Sequence, residues 1–187
     1  MDTTKETEQK KFQWPRVGMR NVKTAIAATL CALVYYFFDR SPAFACIGAI
    51  FGMGSDYDMS KLHGGNRFFG TLVGGFIGMG LFAIYAAIFP NGGSRWFLIP
   101  LTFVGVVILI LACQMIWVGG VQPGGVVLCI ILFNTPIDSY VSYALNRILD
   151  TGVGVVAALF VNGMLPGGFT FGFMHRFYLR MGIRDDV

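Results

Sequence analysis

Four basic residues stand where polar sequence gives way to long apolar runs: Arg20, Lys23, Arg67 and Arg147. A cation at such a border attracts anions, and a guanidinium can grip a carboxylate through two parallel hydrogen bonds. Asp150 follows Arg147 by three residues, which puts both on one helix face. The spacing predicts an ion pair that an anion or a proton can perturb. The simpler alternative is that Arg147 snorkels to an interface and Asp150 only offsets its charge. Arg20, Lys23 and Arg67 have a simpler role open to them too, as anchors of topology.

Other chemistries find little support. The four cysteines (Cys31, Cys46, Cys113, Cys129) lie in apolar runs with no CxxC pair and no histidine at ligand spacing, so they read as buried thiols; no metal and no cofactor is expected. Asp56, Asp58, Lys61 and His63 fall in SDYDMSKLHGGNR at 55 to 67, which reads as a solvated polar linker. No serine, cysteine or paired-carboxylate arrangement points to an enzyme. The net charge of +4 sits at the borders of apolar segments and forms no polar face with aromatic platforms, which argues against nucleic acid.

The elements that must position these residues follow from composition. Of 187 residues, 55% are hydrophobic and only 13% charged, against about 25% charged in soluble domains. The mean hydropathy is +0.65. The chain therefore reads as an all-α integral membrane protein, and a charge at the bilayer centre, costing at least about 2.5 to 3.5 kcal/mol, needs a partner or a watery cavity. No cleavable signal peptide is expected from the polar start. Cutting at charges and at Gly/Pro clusters gives six spans, near 24 to 38, 42 to 54, 68 to 89, 96 to 117, 122 to 133 and 140 to 165. Trp96 and Trp117, 21 positions or about 32 Å apart in a helix, suit the two aromatic belts.

Six spans put both ends on one side. Eleven Lys and Arg then fall on the face of the termini and three (Arg40, Arg95, Arg147) on the other, which predicts cytoplasmic termini in the cell membrane. The expected organisation is a basic N-terminal segment 1 to 23, a membrane domain 24 to 165, and a tail 166 to 187, with His175, that lies on anionic membrane lipid.

NRFFGTLVGGFIG at 66 to 78 and NRILDTGVGVVAA at 146 to 158 align without gaps at an offset of 80, identical at five of thirteen positions including Asn, Arg and Thr. Pro42 and Pro123 fall at nearly the same offset. Two copies of a three-helix unit, 24 to 89 and 96 to 165, must enter the membrane from opposite sides because three is odd, which predicts inverted repeats with a site near the midplane. Gly70, Gly74 and Gly78 match Asp150, Gly154 and Ala158, and these small-residue ladders are expected to pack spans three and six together. The second and fifth segments are short for a crossing. Each opens with a proline at an expected first helical position, leaving free N–H groups that favour a carboxylate. The alternative is that they extend into their flanks and span with local thinning.

GMRNVKTAIAATL at 18 to 30, the NRFFGTLVGGFIG run and NRILDTGVGVVAALFVNG at 146 to 163 resemble the membrane domain of the fusaric acid resistance and aromatic acid exporter superfamily, related to the plant aluminium-activated malate transporters. The resemblance covers about residues 17 to 165 and rests on R-x-x-K-T-A, R-x-x-G-T-x-x-G and R-x-x-D-T-x-x-G-x-x-x-A in order. It implies a six-helix domain that exports or conducts organic anions, often as a dimer. Many relatives carry a further soluble domain or second membrane half, so a homodimer or a separately encoded partner is expected here. The candidate substrate-binding set is Arg20, Lys23, Arg67, Thr71, Arg147, Asp150 and Thr151. The competing expectation is a non-transporting membrane scaffold or regulatory subunit.

Overall fold

The computed structural model describes residues 18 to 90, 93 and 95 to 165. The expected N-terminal segment up to residue 17 and the tail from 166, with His175, lie outside the described residues. Six α-helices follow one another: α1 (Met19–Phe37), α2 (Ala43–Gly52), α3 (Tyr57–Ile88), α4 (Leu98–Ile116), α5 (Val121–Asn134) and α6 (Tyr140–Met164). Short 3-10 turns at Arg95–Phe97, Val118–Gly120 and Ile137–Ser139 lead into α4, α5 and α6. The described residues form no strand. Three helical stretches, Tyr57–Ile88, Arg95–Ile116 and Ile137–Met164, are long and apolar enough to cross a membrane, and α2 and α5 are shorter apolar helices.

Several boundaries differ from expectation. α1 begins five residues earlier than position 24, so Arg20 and Lys23 belong to its first turns. The expected linker at 55 to 67 is mostly helix. Asp56 caps α3 by accepting a 2.8 Å hydrogen bond from the Met59 N–H, and Gly64 sits against Val155 of α6, where tertiary packing offsets the glycine pair's poor helix propensity. Arg67 therefore lies nearly three turns inside α3 and does not open it. Pro123 is the third residue of α5, because the preceding 3-10 turn starts the helix at Val121.

The core divides in two. Ala27, Cys31 and Tyr35 of α1, Ala45 and Ala49 of α2, Met53, and Ala158 and Val161 of α6 form one cluster. Leu81, Phe82 and Tyr85 of α3, Leu98 of α4, and Val127, Leu128, Ile131 and Leu132 of α5 form the other, closed by Ala144 of α6. Helix α6 thus packs with the first helix pair and α3 with the second pair.

The small-residue ladders follow this exchange. A Cβ on Gly74 would lie 2.7 Å from Gly124 Cα in α5, and one on Gly154 would lie 2.9 Å from Gly48 Cα in α2. So the ladders of α3 and α6 face α5 and α2, which corrects the expectation that they face each other. Spacing within one helix defines a thin face but not which helix fills it. Helices α3 and α6 meet through other positions: Gly64 on Val155, Gly75 on Ile148 and Gly152 on Phe68. Phe103, Leu111 and Met115 on α4 and Val156 and Phe160 on α6 are exposed, as lipid-facing side chains are.

Candidate functional site

Asp150 is 2% exposed and organises the first polar cluster. Its Oδ1 accepts from Tyr35 Oη at 2.7 Å and from Arg40 Nη2 at 3.1 Å, and its Oδ2 lies 3.8 Å from Arg147 Nη2. The expected Arg147–Asp150 pair is present, with two further donors from α1 and the turn after it. Arg40 also donates to Asn146 Oδ1 at 3.2 Å. The Arg147 guanidinium lies 3.4 Å from the ring centre of Phe44 and 4.7 Å from that of Tyr143; its buried Nε and Nη1 have no hydrogen-bond partner among the described residues, so its compensation is the nearby carboxylate charge and the aromatic faces. The turn that delivers Arg40 is tight, and Asp39 there has a positive φ of 50°.

Arg67 occupies the matching position of α3 and is differently surrounded. Its guanidinium lies 5.2 Å from the ring centre of Phe51, its buried Nε has no hydrogen-bond partner among the described residues, and none of their ion pairs includes it. It borders a cavity of about 300 Å³ lined by Phe51, His63, Asn66, Gln122, Pro123 and Val126. Asn66 accepts from the Trp117 indole N–H, and Trp117 packs on Phe69. Phe44 and Phe51 are seven residues apart, so one face of α2 supplies a ring to each arginine, about 10 Å apart along its axis.

Thr71 and Thr151 are both buried, and the Thr71 hydroxyl has no partner among the described residues. Thr151 lies where α6 crosses Gly48 of α2. Lys23 belongs to a separate cluster. It is 3% exposed and donates to Asn162 Oδ1 at 2.7 Å, while Asn162 Nδ2 donates at 2.7 Å to the Asp56 carbonyl and to Ser60 Oγ. Ser60 in turn accepts from the Gly54 N–H at 2.8 Å. From Asn162 to Asp150 is twelve residues, about 18 Å along α6, so Lys23 and Asp150 belong to different levels. Arg20 is exposed, and its carbonyl accepts from Thr24 Oγ1 at 2.7 Å. The seven expected residues thus divide: Arg147 and Asp150 share one cluster, Arg67 borders the cavity, the threonines lie buried near the helix crossings, and Lys23 and Arg20 lie apart.

Tyr35, Arg40, Phe44 and Asn162 escaped the sequence reading. Asn162 carried a usable signal, as a polar residue within an apolar run. Arg40 counted only as a topology charge, because nothing local reveals a partner 110 positions away. The polar loop residue Asp56 is exposed, and the Met59 N–H it accepts from holds its carboxyl below the ordinary carboxylate value. Among the described residues no cluster of His, Cys, Asp and Glu could hold a metal ion.

The profile of aromatic acid exporter family member 1 matches residues 15–165. No curated protein and no solved structure matches the chain. With the family's profile covering all six helices, the chain belongs to the aromatic acid exporter family, a family of membrane exporters.

Proposed function

We propose that this protein moves organic carboxylates, aromatic ones among them, across the cytoplasmic membrane. In this reading it is a multi-pass domain of two inverted three-helix units with both termini in the cytoplasm, acting as a homodimer or with a separately encoded partner. The observation that carries it is Arg67: a guanidinium well inside a membrane-length helix, without a carboxylate partner among the described residues, bordering a cavity. A cation so placed is costly unless an anion or water compensates it. The cavity volume of about 300 Å³ is at the lower end of small-ligand sites, about 300 to 1,000 Å³, which suits a single-ring acid. Phe51 and Pro123 offer apolar walls, and Asn66 and Gln122 add hydrogen-bonding groups.

Three pairs of relationships support the inverted units. Helix α3 packs with α4 and α5 as α6 does with α1 and α2. Asn66 accepts from Trp117 beside the α4–α5 turn, and Asn146, its match at offset 80, accepts from Arg40 beside the α1–α2 turn. Gly74 meets Gly124 as Gly154 meets Gly48. Short helices at matching places of two halves are the usual surroundings of a transport site. Arg67, Thr71, Arg147, Asp150 and Thr151 line or brace the path in this reading, and Lys23 and Arg20 stand toward its cytoplasmic end.

The test is uptake of labelled benzoate and malate by liposomes carrying the purified protein. Flux above that of empty liposomes, saturable and dependent on protein amount, is expected. Flux equal to empty liposomes for every carboxylate overturns the proposal in favour of a non-transporting scaffold.

A further inference from the structure

The two arginines at offset 80 both keep buried nitrogens without hydrogen-bond partners among the described residues, but only one of them has a carboxylate beside it. Three residues after Arg147 comes Asp150, whose carboxylate engages Arg147, Arg40 and Tyr35. Three residues after Arg67 comes Gly70, and no carboxylate could be built there. A Cβ on Gly70 would lie 2.5 Å from Pro123 Cγ and 2.9 Å from Gly120 Cα. In that half the space beside the arginine is instead a cavity with no acidic residue in its lining. Each guanidinium has one aromatic ring of α2 beside it, Phe44 or Phe51, while Arg147 has in addition the Tyr143 ring, the Asp150 carboxylate and, through it, Arg40.

We infer that Asp150 is a tethered carboxylate that permanently fills the second arginine site, so that each chain takes up one carboxylate from solution, at Arg67, and not two. Arg147 then braces α6 against α1 and α2 through Asp150 while Arg67 does the binding. The geometry around Asp150 is also a partial template for the bound ligand at Arg67: one oxygen toward the guanidinium and the other toward further donors, which at Asp150 are the Tyr35 hydroxyl and a second cation, Arg40. At Arg67 the further donors would be the side-chain amides of Gln122 and Asn66. This inference rests on the carboxylate reading above and assigns the site and the count within it.

The experiment is equilibrium dialysis of the full chain in detergent with labelled benzoate, counting ligand per chain, with Trp117 fluorescence in a Trp14→Phe, Trp96→Phe background as an independent readout since its indole bonds Asn66 at the cavity. Wild type is expected to bind one benzoate per chain. Arg67→Gln is expected to weaken binding at least tenfold, and Asp150→Ala, which vacates the space of the carboxylate, to bind one labelled formate more than wild type. Two benzoates per wild-type chain, or undiminished binding in Arg67→Gln, overturns the inference and leaves the carboxylate reading standing. A folded Asp150→Ala that binds no more formate than wild type also overturns it. If Asp150→Ala does not fold, the wild-type count and Arg67→Gln still decide. No binding to wild type, with no flux in liposomes, overturns both.

Discussion

Tyr35 Oη donates a 2.7 Å hydrogen bond to Asp150, and twelve residues earlier on α1, Lys23 donates a 2.7 Å hydrogen bond to Asn162, twelve residues later on α6. The two bonds pin one antiparallel register at both ends, about 18 Å apart, with Ala27 and Cys31 of α1 and Ala158 of α6 in the apolar stretch between. Polar bonds at fixed positions set the register that apolar packing alone leaves loose.

Tyr35→Phe removes one donor from Asp150 and keeps the ring. A hydrogen bond to a charged group contributes about 1.5 to 3 kcal/mol, so a stability loss in that range is expected in reversible unfolding from detergent. Asp150→Ala is expected to cost more, about 3 to 5 kcal/mol, because Arg147 is left uncompensated. Equal losses for the two would show that Arg147 does not depend on the carboxylate.

Lys23→Met and Asn162→Leu form a double-mutant cycle across the other end of the register. The expected coupling is about 0.6 kcal/mol and at most about 1.7, the range for hydrogen bonds between membrane helices. Coupling indistinguishable from zero would mean that this bond does not hold α1 on α6.

Gly124→Val and Gly154→Val are expected to abolish folded protein, because their side chains would meet backbone atoms across the α3–α5 and α2–α6 crossings: 2.8 Å to Gly70 O and 2.8 Å to Ala49 N. Gly80→Ala, with nothing within 4 Å of the added carbon, is expected to be neutral or slightly stabilising. Size-exclusion profiles of the purified variants check both, and a monodisperse Gly154→Val would contradict the observed crossing.

The Asp56 cap has a pH signature. Its carboxyl sits below the ordinary value because the ionised form accepts the Met59 N–H. Its contribution is therefore fully present above the ordinary carboxylate pKa, about 3.9, and is lost as pH falls through the lower folded value. The protection factors of amides at the start of α3, that is exchange corrected for its intrinsic pH dependence, are expected to fall below pH 4 in wild type, while in Asp56→Asn they lose this pH dependence. Wild-type protection factors that stay constant between pH 3 and 6 would contradict the cap.

Much of this architecture is legible in sequence, and what is missed has a physical pattern. The starts of α5 and α6 fall within a residue of expectation, and the ends of α3 to α6 do likewise, because apolar runs and their turns are local features. The Arg147–Asp150 pair follows from three-residue spacing on one helix. Arg40 and Tyr35 do not, since they reach Asp150 from another helix and from a turn. The start of α3 is missed because Gly64, Gly65 and several charges argue for a loop, while Val155 on α6 and the Asp56 cap favour a helix. The partner of each glycine ladder is missed for the same reason: thinness is written in one segment, whereas its complement depends on which helices are neighbours.

Arg67 carries the account, so its removal is the most direct measurement. In liposomes with equal amounts of folded protein, Arg67→Ala is expected to reduce the initial rate of benzoate flux at least tenfold relative to wild type. Undiminished flux through Arg67→Ala would contradict the account.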